Sequence, residues 1–176
     1  MKTEKRNALT IVLFAIYILL LIGIVIFKLP FRGGLSDGVR VINLIPFQGS
    51  FDENGGLLLR EIIDNMLIFA PLGVYISMLK NDSPFVKKAL PIIGLSLTFE
   101  VTQFVFAMGR TDITDVVDNT LGGILGIGIY ALLFKIFKNK TARIINILAL
   151  TVTVCVAFRF AQMFYLSHFV MRRLRP

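Results

Sequence analysis

Residues 8–27 read ALTIVLFAIYILLLIGIVIF, a run of 20 amino acids without a charged side chain. A helix needs about 20 apolar residues to cross the hydrocarbon core of a bilayer, so this run predicts a transmembrane helix. The basic residues before it are also typical of the start of a signal peptide. However, the run is longer than a signal-peptide core, and no small-x-small cleavage site precedes Lys28. We therefore predict a helix that the mature protein retains.

The composition of the whole chain agrees with a membrane protein. Of 176 residues, 56% are hydrophobic and 17% are charged, and the mean hydropathy is +0.78. Soluble proteins average about 45–50% apolar and about 25% charged residues, so these values exclude a disordered chain and most soluble enzymes. The net charge of +8 would indicate nucleic acid in a soluble domain. Here the basic residues flank apolar runs instead, and no nucleic-acid partner is expected.

Four further apolar runs predict helices, at about residues 61–79, 89–108, 115–134 and 144–169. The connection after the first run contains VINLIPFQGSF at residues 41–51, which is too short to span and is broken by Pro46. This favours a surface-lying or re-entrant segment. Cys155 lies inside the fifth run and is expected to be a small buried hydrophobic residue. The predicted fold is all-α: a polytopic transmembrane bundle of about five helices in a single domain, residues 1–176, with membrane lipids as partners.

Basic residues in the short loops indicate the orientation, because positively charged loops remain in the cytoplasm. They occur in three segments that share one side if all five helices cross, namely residues 2–6, 80–88 and 135–143. The amino terminus is therefore predicted to be cytoplasmic. The basic tail at residues 171–176 then falls outside, against the rule. Whether the fifth helix crosses fully, and on which side the carboxyl terminus lies, stays open.

With this topology, polar residues of three helices gather near the outer leaflet. The second and fourth helices carry them at their outer starts, and the third helix carries them toward its outer end. Spacings of three and four residues place several of them on one helix face. The residues are Glu61, Asp64, Asn65, Glu100, Gln103, Asp115, Asp118 and Asn119, with Arg110 in the turn before the fourth helix.

Glu100 is predicted to lie deepest within the membrane. At 1.5 Å per residue it lies about 12 Å below the outer end of the third helix. An unpaired carboxylate at such depth costs at least about 2.5 kcal/mol. Two compatible interpretations are open: Glu100 lines a polar cavity, or it pairs with Arg159 of the fifth helix.

The acidic run DITDVVDN at residues 112–119 also has structural explanations. Asp112 can cap the fourth helix, and Asp115 then places negative charge at its amino terminus. Glu100, Asp115 and Asp118 offer the oxygen ligands of a divalent cation, but no dedicated metal motif is present and no metal is expected. Further along the same helix, Gly122 and Gly126 form a small-xxx-small face that permits close helix packing.

Four stretches resemble the VanZ-like family of bacterial membrane proteins, which is named for a component of glycopeptide resistance. They read NLIPFQ at 43–48, REIIDNMLIFAPLG at 60–73, SLTFEVTQF at 96–104 and GRTDITDVVDNTLGGILG at 109–126. Together they cover most of residues 43–128. By position, the residues that the family shares fall on Asn65, Pro71, Gly73, Glu100, Gln103, Arg110, Asp115 and Asn119. The resemblance implies a multi-pass protein of the cell membrane.

The resemblance also implies an association with resistance to teicoplanin and related lipoglycopeptides. One hypothesis is a non-enzymatic envelope protein whose polar cluster binds a lipid-linked cell-wall precursor or a lipoglycopeptide. Arg60 and Arg110 would suit a phosphate group, because the guanidinium fork matches its oxygens. The ligand-binding candidates are Arg60, Asp64, Asn65, Glu100, Gln103, Arg110, Asp115 and Asn119.

A second hypothesis is an intramembrane enzyme acting on a lipid-linked envelope precursor. Glu100 would be the general acid or base and Asp115 its partner, since paired carboxylates can divide these roles. No Ser-His or Cys-His arrangement supports nucleophilic catalysis, and no cofactor is expected. A stand-alone transporter is disfavoured, because many transporter folds use internal repeats and none is visible here.

The topology makes a direct prediction about accessibility. In a Cys155→Ser background, Asn54→Cys should react with a membrane-impermeant maleimide in intact cells, because the long connection containing Gly33 and the turn at Arg110 face outward. Asn139→Cys should react only after permeabilisation, because its loop is rich in lysine. The reverse labelling pattern would contradict the convergence of polar residues at the outer leaflet.

Overall fold

A computed structural model describes the backbone of residues 2–27, 41–48, 51, 59–107 and 110–166, and their side chains except those of residues 2–7, 27, 41 and 110. Five α-helices and two short strands follow one another within this set. In chain order they are α1 (Lys2–Phe27), β1 (Val41–Asn43), α2 (Leu59–Leu79), α3 (Phe85–Val105), β2 (Arg110–Asp112), α4 (Ile113–Phe137) and α5 (Thr141–Tyr165). Gly33, Asn54 and the tail at residues 171–176, which the topology prediction uses, lie outside the described residues.

The predicted transmembrane helix bundle is confirmed. By length and composition, three segments of the described chain could cross a membrane, namely Ala8–Ile26, Leu59–Leu79 and the 53-residue Ile113–Tyr165. The third segment contains both α4 and α5. α3 is not among the three, and its charged residues Lys87, Lys88 and Glu100 make it less apolar. The sequence predicted five membrane crossings, whereas three described segments are long and apolar enough to cross.

A single 3₁₀ turn, Lys138–Lys140, separates α4 from α5. α4 ends there because Lys138 adopts a φ of 47°, a left-handed conformation that an L-amino-acid helix does not continue. The Lys138 N–H still donates to the Phe134 carbonyl, which satisfies one of the last carbonyl groups of the helix. If α4 and α5 are counted as one segment, the described residues form four long helical segments rather than about five.

The chain divides into two compact units. Unit 1 comprises Met1–Ala15 with Asn139–Pro176, and unit 2 comprises Ile16–Lys138. The assignment of residues 1–176 to a single domain stays a prediction. All of the polar candidates from Arg60 to Asn119 belong to unit 2.

In unit 1, a buried polar pair joins α1 to α5. Thr10 Oγ1 donates to Asn146 Oδ1 at 3.2 Å, and Asn146 Nδ2 donates to Thr10 Oγ1 at 2.9 Å. Most other side chains of α5 are exposed, and Cys155 is one of them. The prediction that Cys155 is buried is therefore wrong. An apolar residue on a membrane helix needs no protein neighbour, because lipid is as apolar as a protein interior.

In unit 2, α2 and α4 form the most extensive helix contact. A Cβ added at Gly122 would collide with the backbone of Met66, and one added at Gly126 would collide with that of Ala70. From the α2 side, Gly73 approaches the backbone of Gly123 in the same way. The two helix backbones touch, and the close packing predicted for Gly122 and Gly126 is confirmed.

Aromatic side chains hold α3 and the second half of α1 against α2. The rings of Phe69 and Phe99 meet edge to face with centroids 6.1 Å apart. Tyr17 of α1 lies 5.7 Å from Tyr75 by ring centroids, and its hydroxyl donates to the Ile68 carbonyl at 2.8 Å. The hydroxyl group of Tyr17 therefore has a hydrogen-bond partner inside an otherwise apolar interior.

The connection between α1 and α2 contains a strand that the sequence did not predict. β1 pairs in parallel with β2, with Val41 opposite Arg110, Ile42 opposite Thr111 and Asn43 opposite Asp112. That this segment lies on the membrane surface or re-enters the membrane stays a prediction. Three residues are too few for strand periodicity to be visible in a sequence. The pairing joins two connections that lie far apart in the chain and fixes both beside the start of α4.

The contact between α2 and α4 predicts a position-specific effect of added volume. Gly126→Ala should lower the free energy of unfolding by about 1–3 kcal/mol, because the methyl group would force the two backbones apart. Gly128→Ala is the matched control on the same helix, since nothing lies within 4 Å of its added Cβ. This variant should be neutral or more stable by up to about 1 kcal/mol, because Ala favours helix. Denaturation of both purified variants in mixed micelles measures the difference, and equal stabilities would contradict backbone contact at Gly126.

Candidate functional site

The polar ends of α2, α3 and α4 meet at one end of unit 2. Asn65, in the second turn of α2, donates from Nδ2 to Asp115 Oδ1 in the first turn of α4 at 2.8 Å. Glu100, near the end of α3, accepts at Oε2 from the backbone N–H of Asp112 at 2.9 Å. These two bonds bring the starts of α2 and α4 and the end of α3 together. We call this region the polar end; its side chains are Arg60, Glu61, Asp64, Asn65, Ser96, Glu100, Gln103, Asp112, Thr114, Asp115, Asp118 and Asn119.

Asp112 connects more elements of the polar end than its predicted role as a cap required. Its Oδ1 accepts from the Thr114 N–H at 2.9 Å, so it is the N-cap of α4 as predicted. Its Oδ2 accepts from Asn43 Nδ2 at 3.0 Å, which ties β1 to the same carboxylate. Because its own N–H is bonded to Glu100, this one residue links β1, α3 and α4.

The segment after β1 is fastened to the start of α4. Asn43 Oδ1 accepts from the Ile45 N–H at 3.2 Å and so shapes the turn that follows the strand. The Phe47 N–H then donates to Thr114 Oγ1 at 2.9 Å. Phe47 has a φ of 62°, which is uncommon for a bulky residue and needs such support. The apolar side chains of Ile42, Leu44 and Ile45 are left exposed beside the polar end.

Glu100 and Asn119 are buried as structural members of the polar end. Glu100 is 5% exposed, and both its side chain and its carbonyl accept hydrogen bonds, the carbonyl from Thr111 Oγ1 at 3.3 Å. Asn119 donates from Nδ2 to Ser96 Oγ at 3.0 Å and joins α4 to α3. Arg159, the alternative partner of Glu100, belongs to unit 1, where its Nη1 lies 3.4 Å from Gln162 Oε1. The pairing of Glu100 with Arg159 stays a prediction.

Gln103 faces the second half of α1 rather than the other candidates. Its Nε2 donates to the Val25 carbonyl at 2.9 Å, while its Oε1 is buried and has no hydrogen-bond partner among the described residues. In the same part of the chain, Asp118 Oδ1 and Ser77 Oγ are also buried without a partner.

Arg60 and Asp64 lie on the outer surface of α2. The Arg60 Nε and Asp64 Oδ2 atoms are 3.8 Å apart, and the two side chains are 90% and 55% exposed. An exposed ion pair of this length contributes little to stability, so the guanidinium can turn toward another anion. The backbone of Arg110 lies in β2, while its side chain lies outside the described residues.

Several members of the polar end were not among the sequence-based ligand candidates. Ser96 and Thr114 of the polar end, and Asn43 of the neighbouring β1, are ordinary polar residues whose importance arises only from their partners. Asp118 could have been added to the ligand candidates from its spacing, because it lies three residues after Asp115 and therefore on the same side of α4.

The polar end is rich in hydrogen-bond acceptors and has no metal-like arrangement. In the part of the chain that the structure describes, no group of three or more His, Cys, Asp or Glu side chains could hold a metal ion. The two carboxylates proposed for acid–base chemistry each accept a hydrogen bond, Glu100 from Asp112 and Asp115 from Asn65. The arrangement suits the binding of a polar head group by exposed and partly engaged side chains.

Two comparisons relate this chain to known proteins. The family model described as VanZ/LLP1 matches residues 14–138, which contain all of the polar candidates. The chain is 41% identical to Protein VanZ of Enterococcus faecium over 132 residues, which are 73% of this chain and 77% of that protein. No solved structure matches. By the extent of both matches, this membrane protein belongs to the VanZ family.

Proposed function

We propose that this protein acts at the outer face of the bacterial cytoplasmic membrane and lowers susceptibility to teicoplanin-type glycopeptides. The polar end binds the head group of a membrane-anchored ligand, either a lipid-linked cell-wall precursor or the lipoglycopeptide itself. The association of the VanZ family with teicoplanin resistance supports the biological part of this proposal. The chemistry that both ligands share is a polar head with a long hydrocarbon tail.

One observation carries the proposal: the polar end lies directly beside an exposed apolar segment. Ile42, Leu44 and Ile45 are 52%, 71% and 59% exposed. Hydrogen bonds from Asn43 to Asp112 and from Phe47 to Thr114 hold this segment beside the polar end. A surface that is polar on one side and apolar on the other is complementary to a lipid-tailed molecule at the membrane boundary.

The exposed guanidinium of Arg60 gives the polar end a group for an anionic head. It projects from the first turn of α2, where the helix dipole also favours negative charge. A phosphate or carboxylate could replace the weak contact with Asp64, because the arginine fork binds two oxygens at once. Arg60 therefore recognises the head group.

The acyl chain explains discrimination between drugs. Each buried CH₂ group contributes about 0.8 kcal/mol, or about fourfold in affinity. Teicoplanin carries an acyl chain and vancomycin does not, so a site that holds the chain separates the two drugs without reading their peptide cores. The apolar side chains beside the polar end supply the contact surface.

The enzymatic alternative lacks an observation in its favour among the described residues. Glu100 Oε2 accepts a hydrogen bond from the Asp112 N–H, and Asp115 Oδ1 accepts one from Asn65 Nδ2. Both carboxylates thus position neighbouring elements. A proton-transfer role would require an oxygen aimed at a substrate.

Glu100→Gln separates positioning from acid–base chemistry. The amide oxygen can still accept from the Asp112 N–H, whereas the amide cannot exchange protons at physiological pH. We expect this variant to keep its effect on teicoplanin susceptibility, measured as the minimal inhibitory concentration. A complete loss at unchanged protein level and thermal stability would contradict the positioning role.

Expression in a susceptible Gram-positive host tests the proposed function. The minimal inhibitory concentration should rise more for teicoplanin than for vancomycin, and more than for a teicoplanin derivative without its acyl chain. Arg60→Gln should remove the rise without loss of protein, because this side chain is 90% exposed and supports no buried contact. Lys80→Gln is the matched control, an exposed basic residue in the connection between α2 and α3.

Binding measurements distinguish the two sources of the ligand. The purified protein in phosphatidylcholine nanodiscs should bind either teicoplanin or a lipid-linked peptidoglycan precursor, with Arg60→Gln weakening whichever binds. An equal change in susceptibility to all three drugs would contradict the role of the acyl chain. No change for any drug, with the protein present in the membrane, would contradict the proposed function as a whole.

A further inference from the structure

Asp118 differs from the other acidic side chains of the polar end. It is 1% exposed, and its Oδ1 has no hydrogen-bond partner among the described residues. By contrast, Asp112 accepts from Thr114 and Asn43, and Asp115 accepts from Asn65. A buried carboxylate oxygen without a donor is unfavourable and uncommon in native proteins. This oxygen therefore calls for a partner from outside the described chain.

The position of Asp118 is defined by the glycines that follow it. Asp118, Gly122 and Gly126 are spaced four residues apart and share one face of α4. At Gly122 and Gly126 this face touches the backbone of α2. Asp118 thus lies one turn nearer the start of α4, in its second turn, on the same helix face as these glycines.

Among the described residues, two acidic side chains act on Asp118. The carboxylates of Glu61 on α2 and of Asp112 at the cap of α4 are close enough to act on it electrostatically. Asp112 is already engaged as an acceptor on both oxygens. A group that binds at Asp118 therefore meets an unused acceptor within a field that favours a cation.

We propose that Asp118 anchors a subsite for a primary ammonium group between the first turns of α2 and α4. The inference rests on the proposed function and names the part of the membrane-anchored ligand that enters deepest. A primary ammonium carries three N–H donors and a positive charge. It satisfies the carboxylate oxygen by a charge-assisted hydrogen bond and offsets the surplus negative charge at the same time.

Other partners fit the observations less well. Divalent cations such as calcium take six to eight oxygen ligands, and the described chain has no group of three His, Cys, Asp or Glu side chains that could hold a metal. A hydroxyl group could donate one hydrogen bond but would leave the buried charge uncompensated. A quaternary ammonium would supply charge but no donor.

The test uses ethanolamine as the probe and N-acetylethanolamine as its uncharged match. The purified full-length protein in phosphatidylcholine nanodiscs is titrated with each compound, and thermal unfolding gives the apparent affinity. Ethanolamine should bind at least about tenfold more tightly than N-acetylethanolamine, as expected for a hydrogen bond between charged groups. Asp118→Asn should remove this preference. Asp82→Asn, an exposed acid in the connection between α2 and α3, should keep it.

Two results would overturn the subsite. One is equal binding of the two compounds by the unmodified protein, which needs no variant and so remains decisive if Asp118→Asn fails to fold. The other is an unchanged preference in Asp118→Asn. In the event of poor folding, Asp118→Glu, which keeps the carboxylate, should retain the preference for ethanolamine.

The outcome is separable from that of the proposed function. A preference for ethanolamine that depends on Asp118, without any change in teicoplanin susceptibility, would support the subsite and contradict the resistance role. An effect on teicoplanin susceptibility that depends on Arg60, with no preference for ethanolamine, would support the resistance role and contradict the subsite.

Discussion

The polar end of unit 2 depends on the hydrogen bond from the Asp112 backbone N–H to the buried Glu100 carboxylate. Glu100 is 5% exposed, and a buried carboxylate without water must be satisfied by the protein itself. Here the donor belongs to the residue that caps α4, and the carboxylate of that residue also holds β1 through Asn43. The strand pair, the start of α4 and the end of α3 therefore meet at this one group.

A steric constraint acts on the other side of the polar end. The glycines of α4 let its backbone touch that of α2, which sets the separation of the two helices at Gly122 and Gly126. At this separation Asn65 of α2 reaches Asp115 of α4, and Asp118 is 1% exposed. The glycines of α4 therefore allow the close contact of α2 with α4, and the buried Asp118 lies one turn before them on the same helix face.

These two constraints divide the polar side chains into those that hold the site together and those that remain available. Glu100, Asp112 and Asn119 are buried and bonded across elements, so they give the polar end its shape. Arg60 is exposed, and its contact with Asp64 is weak. The exposed apolar segment after β1 completes a surface with two characters. Such a surface has the polar and apolar parts that the proposed lipid-tailed ligand requires.

The sequence by itself determined the membrane class, the helices to within a few residues, the cap at Asp112 and the small-residue face of α4. These features depend on apolar run length, helix spacing and local hydrogen bonding, which neighbouring residues specify. Only the tertiary structure decided which partner each polar side chain takes. The pairing of β1 with β2 and the bond between Asn119 and Ser96 join residues that lie far apart in the chain. The Asp118 Oδ1 atom, in contrast, is buried without a hydrogen-bond partner among the described residues. The pattern of residues along the sequence does not predict such contacts, because they form only when whole helices pack against one another.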